Sequence, residues 1–204
     1  MKVHGFVQAG GGSTRFGTDK ALVQVGGKTM LRRTGELLAG ICDDVTIVAP
    51  ALKYRDAPLP VLADSWPGEG PLGGILTALG SLRGAERTSD WAMILGCDMP
   101  FLTREFLGEL RARALRSAAL VIVPRSASGF EPLCACWSFR ALSAVQGAFE
   151  LGIRRVTEAM KRLPMEVLDE SFWKRFDTQN RLFWNMNTPA DYEEAQRIWE
   201  PPKL

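Results

Sequence analysis

Short apolar runs alternate along the chain with segments whose apolar residues recur every three or four positions. The runs cover residues 6–8, 45–49, 61–63, 91–95, 120–123 and 133–137. Near-continuous apolarity over so few residues suits strands covered on both faces. Between them, Met30, Leu31, Leu37, Leu38 and Ile41 fall at helical spacing, as do Phe106, Leu107, Leu110 and Ala114 after a capping hydroxyl at Thr103. Thr188-Pro189-Ala190-Asp191 predicts a helix start: a cap, a proline at the first helical position, and an acid three residues after the cap. The polar segment 125–129 reads as a loop. Strand and helix in alternation predict an α/β chain, a single-domain Rossmann-like three-layer fold with a mostly parallel sheet. Ligands of such sheets bind at the carboxyl ends of the strands.

Length and charge narrow the picture. The 204 residues suit one domain, 1–204. Lys plus Arg number 25 against 23 Asp plus Glu, so there is no broad basic field, and nucleic acid is not an expected partner. No apolar run approaches the roughly 18 residues that cross a bilayer, so no membrane role is expected. The first residues lack the core of a signal peptide and read as a strand, which gives a cytoplasmic expectation. Cys42, Cys97, Cys134 and Cys136 form no CxxC pair and have no accompanying histidine, which argues for reduced thiols rather than zinc. Cys134 and Cys136, two apart on a strand, share one packed face. The six tryptophans are expected to pack rather than to stack on a ligand.

The candidate chemistry begins where the first strand ends, in Gln8-Ala9-Gly10-Gly11-Gly12-Ser13-Thr14-Arg15-Phe16-Gly17-Thr18-Asp19-Lys20. The glycines remove the Cβ atoms that would hold a ligand off the backbone. Exposed N–H groups with Arg15 and Lys20 beside them make a polyanion site. Gly12 and Gly17 have Walker A spacing, but Thr18-Asp19 stands where Lys-Ser/Thr is needed, and the G-x-G-x-x-G pattern is incomplete.

Asp98 directly follows the most apolar run and so points into the crevice, where an oxygen ligand suits Mg²⁺ together with substrate phosphates. Asp64 follows another run and precedes a second glycine-rich loop, Gly68-Glu69-Gly70-Pro71-Leu72-Gly73-Gly74, where backbone can approach a base or ribose. From sequence, Asp64 serves either a ribose hydroxyl or the metal. His4, the single histidine, lies at the start of the first strand and is read as structural. That leaves a Ser-His-Asp hydrolase poorly supported.

These residues resemble the molybdenum cofactor guanylyltransferases, within the MobA-like nucleotidyltransferases. The family's LAGGxSxRxGxDK opening is similar to residues 8–20, its GPLAG-type loop to Gly70-Pro71-Leu72-Gly73-Gly74, and its CDxP motif to Cys97-Asp98-Met99-Pro100. Arg154-Arg155-Val156 resembles its RRV, and Asn185-Met186-Asn187-Thr188-Pro189 its NxNTP.

The resemblance implies transfer of GMP from Mg·GTP to a phosphate of molybdopterin, with release of pyrophosphate. It implies that Gln8, Ala9 and Gly10, with Gly11 and Gly73 of the two glycine loops, line the nucleotide. Lys20 contacts phosphates, Asp64 lies near the nucleoside, and Asp98 binds Mg²⁺. Asn185 and Asn187 fall on the pterin side. Arg154 and Arg155 offer guanidinium forks for the acceptor phosphate. Arg15, Lys20 and Asp98 are the expected catalytic set, by charge neutralisation and positioning rather than acid–base work.

The sequence departs from the family at Gln8 (usually Leu), at Val48 (Asn in some members) and at Glu131 (usually His). Alternatives are a molybdopterin cytidylyltransferase, a sugar-phosphate nucleotidyltransferase, or a catalytically silent GTP-binding protein. Molybdoenzyme-assembly proteins are further candidate partners.

Overall fold

The computed structural model describes residues 1–10, 19–83 and 89–199. In chain order the elements are β1 (Val3–Gln8), β2 (Gln24–Val25), β3 (Lys28–Thr29), α1 (Met30–Ala39), β4 (Asp44–Ala49), β5 (Val61–Ala63), α2 (Pro71–Ser81) and β6 (Trp91–Gly96). They continue with α3 (Arg104–Arg116), β7 (Val121–Ser126), β8 (Gly129–Phe130), β9 (Cys134–Ser138), α4 (Leu142–Glu150), α5 (Val156–Met160), β10 (Met165–Leu168), α6 (Glu170–Trp173) and α7 (Pro189–Ile198). Asp19 caps a single helical turn at Lys20–Leu22.

The main sheet has eight strands in the order β10-β7-β9-β6-β1-β4-β5, with β8 paired to β7. β1 pairs in parallel with β4 and with β6, β4 with β5, and β7 with β10, while β9 runs antiparallel between β6 and β7. The chain steps from β1 to β4 and β5 on one side, then returns to lay β6 on the other. That reversal opens a crevice at the carboxyl ends of β1 and β6, where an open α/β sheet takes its ligand.

Alternate residues of each strand feed two separate cores. Val3, Val7, Met93, Leu95, Cys134 and Cys136 pack with α1, α3 and α7 on one face. Phe6, Ala92, Ile94, Ala135 and Trp137 pack with α2 and α4 on the other. The period of two along a strand produces this division, and Cys134 and Cys136 share a face as expected. Every residue of β6 is buried, which explains its uninterrupted apolar run. Trp91, Trp137 and Trp173 are buried packing residues, whereas Trp66 is 41% exposed.

Two helix starts follow from the caps read in sequence, at Thr103 and Thr188, and a third cap, Thr29, emerges from the structure. The Thr103 hydroxyl accepts from Phe106 N–H at 3.3 Å to start α3. Thr29 does the same for α1. At α7, Thr188 and Asp191 form a reciprocal capping box with Pro189 in the first turn.

One expectation is corrected. Segment 125–129 is not a plain loop: Arg125 pairs with Phe130 and Ser126 with Gly129, so it closes a hairpin over Ala127-Ser128. Gly129 adopts φ +117°, a conformation that side chains disfavour, and this lets so tight a turn close.

Candidate active site

The crevice is built from the ends of the strands upward. After β1, Ala9 donates to the Val48 carbonyl at 2.9 Å, which keeps the chain on the sheet for one more residue. Gly10 then turns at φ +140°, with Pro50 so close that an added Cβ would lie 2.4 Å from its Cδ. Only glycine fits there on both counts. The Gln8 amide reaches across to α2 and donates to the Pro71 carbonyl at 3.0 Å. Gly74 makes room for it, since a Cβ would stand 2.2 Å from Gln8 Nε2. Gln8 Oε1 is buried with no hydrogen-bond partner among the described residues. The departure at Gln8 therefore ties β1 to the first turn of α2. The Val48 side chain is buried in the core on the α2 face.

Gly11 and Arg15 lie outside the described residues. Lys20 follows Asp19, which has the densest set of partners near the crevice. Asp19 accepts from Ala21 N–H at 3.1 Å and from the Tyr54 hydroxyl at 2.6 Å, and pairs with Lys53 at 2.7 Å. Burial works to raise its pKa, but the Lys53 and Tyr54 hydrogen bonds prevail and hold the carboxyl below its ordinary value. Lys20, anchored by that turn, donates from Nζ to Asn187 Oδ1 at 3.0 Å. Asp19, Lys53 and Tyr54 were absent from the candidate set. The sequence clue was an acid placed to cap the turn that carries Lys20.

Asp98 leaves the end of β6 and curls back over Gly96. A Cβ on Gly96 would stand 2.8 Å from Asp98 Oδ1. That oxygen is buried with no hydrogen-bond partner among the described residues. Burial raises the Asp98 pKa, and the nearby Lys20 charge works the other way. An unsatisfied buried carboxylate oxygen is costly, which makes this a position suited to a cation. Among the described residues no group of three or more His, Cys, Asp or Glu side chains is arranged to hold a metal by itself. A cation here would take its other ligands from substrate and water. The Asp98 carbonyl accepts from Met186 N–H at 2.8 Å, which brings the segment 185–187 to the same rim.

The other candidates divide. Asp64 Oδ1 lies 2.8 Å from the Thr77 hydroxyl and accepts from Trp66 N–H at 3.0 Å, so it shapes the second glycine loop. At Gly73 a Cβ would come within 2.8 Å of Trp66 Cβ, and glycine is what lets loop and helix meet. Asn185 Nδ2 donates to the Phe183 carbonyl at 3.4 Å. Arg154 is engaged by protein groups: its guanidinium pairs with Glu69, donates to the Phe149 carbonyl at 2.6 Å, and lies 3.7 Å from the Phe149 ring centroid. It straps the second glycine loop to the end of α4. Arg155 stays 82% exposed, with a long 3.9 Å contact to Glu158. His4 sits at the far, amino end of β1, its Nε2 2.8 Å from the Thr46 hydroxyl and its ring stacked on Phe6. A cleft of about 730 Å³ between α3, β10 and α6 contains none of the candidate residues.

Comparison with known proteins identifies the family. Residues 5–164 match the MobA-like NTP transferase domain. A molybdenum cofactor guanylyltransferase from Syntrophotalea carbinolica is 31% identical, over 94% of this chain and 89% of the relative. One from Desulfosudis oleivorans is also 31% identical, over 95% of this chain and 94% of the relative. The crystal structure of molybdopterin-guanine dinucleotide biosynthesis protein A from Archaeoglobus fulgidus superimposes with a TM-score of 0.82 at 24% identity, covering 96% of this chain and 97% of that one. The glycine turn after β1, the acid after β6 and the Asn-Met-Asn rim beside it thus sit in a chain that belongs to the MobA-like NTP transferases, as a nucleotidyltransferase of the molybdenum cofactor guanylyltransferase family.

Proposed function

We propose that the protein transfers GMP from GTP to the terminal phosphate of molybdopterin carrying molybdenum, releasing pyrophosphate and forming the guanine dinucleotide cofactor. One observation carries the reading: Lys20, Asn187 and the unpartnered Oδ1 of Asp98 converge where the strand order reverses.

An acceptor phosphate oxygen attacks the α-phosphorus of GTP while the bond to the bridging oxygen of pyrophosphate breaks. The acceptor is already ionised near neutrality, so the site needs no general base. The chain's work is positioning and charge neutralisation. The glycine turn that opens at Gly10 would receive the phosphates, and Lys20, with Arg15, would offset the charge that grows on pyrophosphate. Asp98 would hold Mg²⁺, which would supply positive charge to neutralise the phosphates. Asp64 and Gly73 shape the loop that receives the nucleoside. Asn187, hydrogen-bonded to Lys20, couples the acceptor side to the phosphate side, with Asn185 beside it. Arg155, exposed at the start of α5 with only a long contact to Glu158, offers its guanidinium to the acceptor phosphate. In this reading Arg154 supports the loop instead.

All four cysteines are free thiols, in keeping with a cytoplasmic setting. Among the described residues, no helix is long and apolar enough to cross a membrane.

The test follows pyrophosphate release with Mg²⁺, molybdopterin and either GTP or CTP, alongside Asp98→Asn. Release with GTP alone, lost in the variant, is expected. Preference for CTP would overturn the choice of base, and release that persists in the variant would overturn the role of Asp98.

A further inference from the structure

Glu131 is only 9% exposed and plays no part in the scheme above. It lies in the turn between β8 and β9, its backbone fixed at both ends. Its N–H donates to the Pro124 carbonyl and its carbonyl accepts from Cys134 N–H, each at 2.9 Å. β9 is in register with β6, Cys134 opposite Leu95, and Gly96 N–H donates to the Leu133 carbonyl at 2.9 Å. This register carries the turn to the rim of the crevice beside Asp98. A Cβ on Gly96 would touch both sides of the contact, 2.8 Å from Asp98 Oδ1 and 3.5 Å from Leu133 Cβ.

The Ser126 hydroxyl donates to Glu131 Oε1 at 2.6 Å and fixes the side chain. Burial raises the Glu131 pKa, and the Asp98 charge adds to the rise. The Cys134 thiol between them is pushed up by burial and by both carboxylates. Two acids whose charges act on each other, one with an orphaned buried oxygen, form a local excess of negative charge. A structural partner for Ser126 would not need that charge, because a glutamine accepts the same hydrogen bond.

We propose that Glu131 is a positioning residue for the divalent cation held on Asp98, accepting a hydrogen bond from water bound to that cation. The inference rests on the reading of Asp98 given above. Mg²⁺ keeps several waters when it binds one carboxylate and phosphates, and groups that orient those waters tune the site. Ser126 holds Oε1, so the role falls to Oε2.

The experiment compares, by calorimetry, the affinity for GTP in excess Mn²⁺ with that for GTP in EDTA. The ratio reports the contribution of the metal without requiring turnover. Glu131→Gln should lower the ratio about 10-fold and leave GTP binding in EDTA unchanged. Ser126→Ala, which keeps the charge but releases the side chain, should lower it about 3-fold, and it carries the test if the first variant does not fold. An unchanged ratio in both variants, with Asp98→Asn still lowering it, overturns this inference alone. An equal loss with and without metal makes Glu131 a structural residue of the turn and also overturns it. A ratio unchanged in Asp98→Asn removes the metal from Asp98, and this inference falls with that reading.

Discussion

Asp43 and Asp98 occupy opposite ends of one sheet, and they show what each end is for. At the amino end, Asp43 Oδ2 accepts from Val3 N–H at 2.8 Å and from Arg111 at 3.1 Å. The Val3 hydrogen bond lowers its pKa, burial opposes this, and Arg111 adds to the lowering. At the carboxyl end, Asp98 is half-buried, its Oδ1 is buried with no partner among the described residues, and its pKa is raised by burial. One carboxylate is satisfied by the fold; the other is held ready at a cost in desolvation. The contrast is confined to the two carboxylates: His4 Nε2 is bonded to Thr46, but among the described residues His4 Nδ1 and Arg111 Nε at the amino end are buried without partners, as Gln8 Oε1 is at the carboxyl end.

The sharpest break of this comparison is Asp98→Asn. Removing the charge should lower turnover by at least about 100-fold, as loss of a preorganised electrostatic contact does. The same change removes a buried, unpaired charge, so the thermal midpoint of the metal-free protein should hold or rise. Differential scanning calorimetry beside a pyrophosphate assay reads both. A variant that lost stability and kept activity would place Asp98 with Asp43, as a residue of the fold.

Lys20→Met is expected to cost less. Lys20 is charged and bonded to Asn187, so its loss removes one charge-assisted contact to phosphate, about 10-fold in GTP affinity. Titration calorimetry with GTP checks this. An unchanged affinity would confine Lys20 to holding Asn187.

The sequence carried the fold where one element buries itself completely, and failed where burial depends on a partner far along the chain. β6 and the α7 capping box are written in consecutive residues. β10 was missed because Met165–Leu168 is an edge strand of partly buried residues interrupted by Glu166, so the apolar signal is broken. The site divides in the same way. Asp98 could be read because it directly follows an apolar strand. The Asp19–Tyr54 contact joins residues 35 apart, and the Arg154–Glu69 pair spans 85 positions. No local pattern announces either one. Glu131 resembles an ordinary turn acid until the β9 register buries it.

The Arg154 strap sharpens the comparison on a smaller scale. If Arg154 acts through Glu69, then Arg154→Ala and Glu69→Ala should each raise the KM for GTP about 3-fold, and the double variant should be no worse than either. Additive losses, or a KM effect on the acceptor alone, would return Arg154 to the acceptor phosphate.

Asp43→Ala is the mildest change and the one that most directly tests the amino end. Two hydrogen bonds are lost, but both are partly exposed, and a net loss of about 1 kcal/mol would lower the melting midpoint by about 2–4 °C. Turnover should be unchanged, since no crevice residue touches Asp43. The pH dependence carries the same signature. Asp43 is depressed in the folded state, so between its folded and ordinary values the unfolded chain binds the extra proton. Its contribution is complete above the ordinary aspartate range and fades as pH falls through the depressed value. The gap in midpoint between the parent protein and Asp43→Ala should therefore be widest near neutrality and close on acidification, read by thermal unfolding at a series of pH values. A gap independent of pH would mean that the carboxylate charge does nothing at the amino end. The two ends of the sheet would then differ only in whether their carboxylates have partners, not in how charge is used.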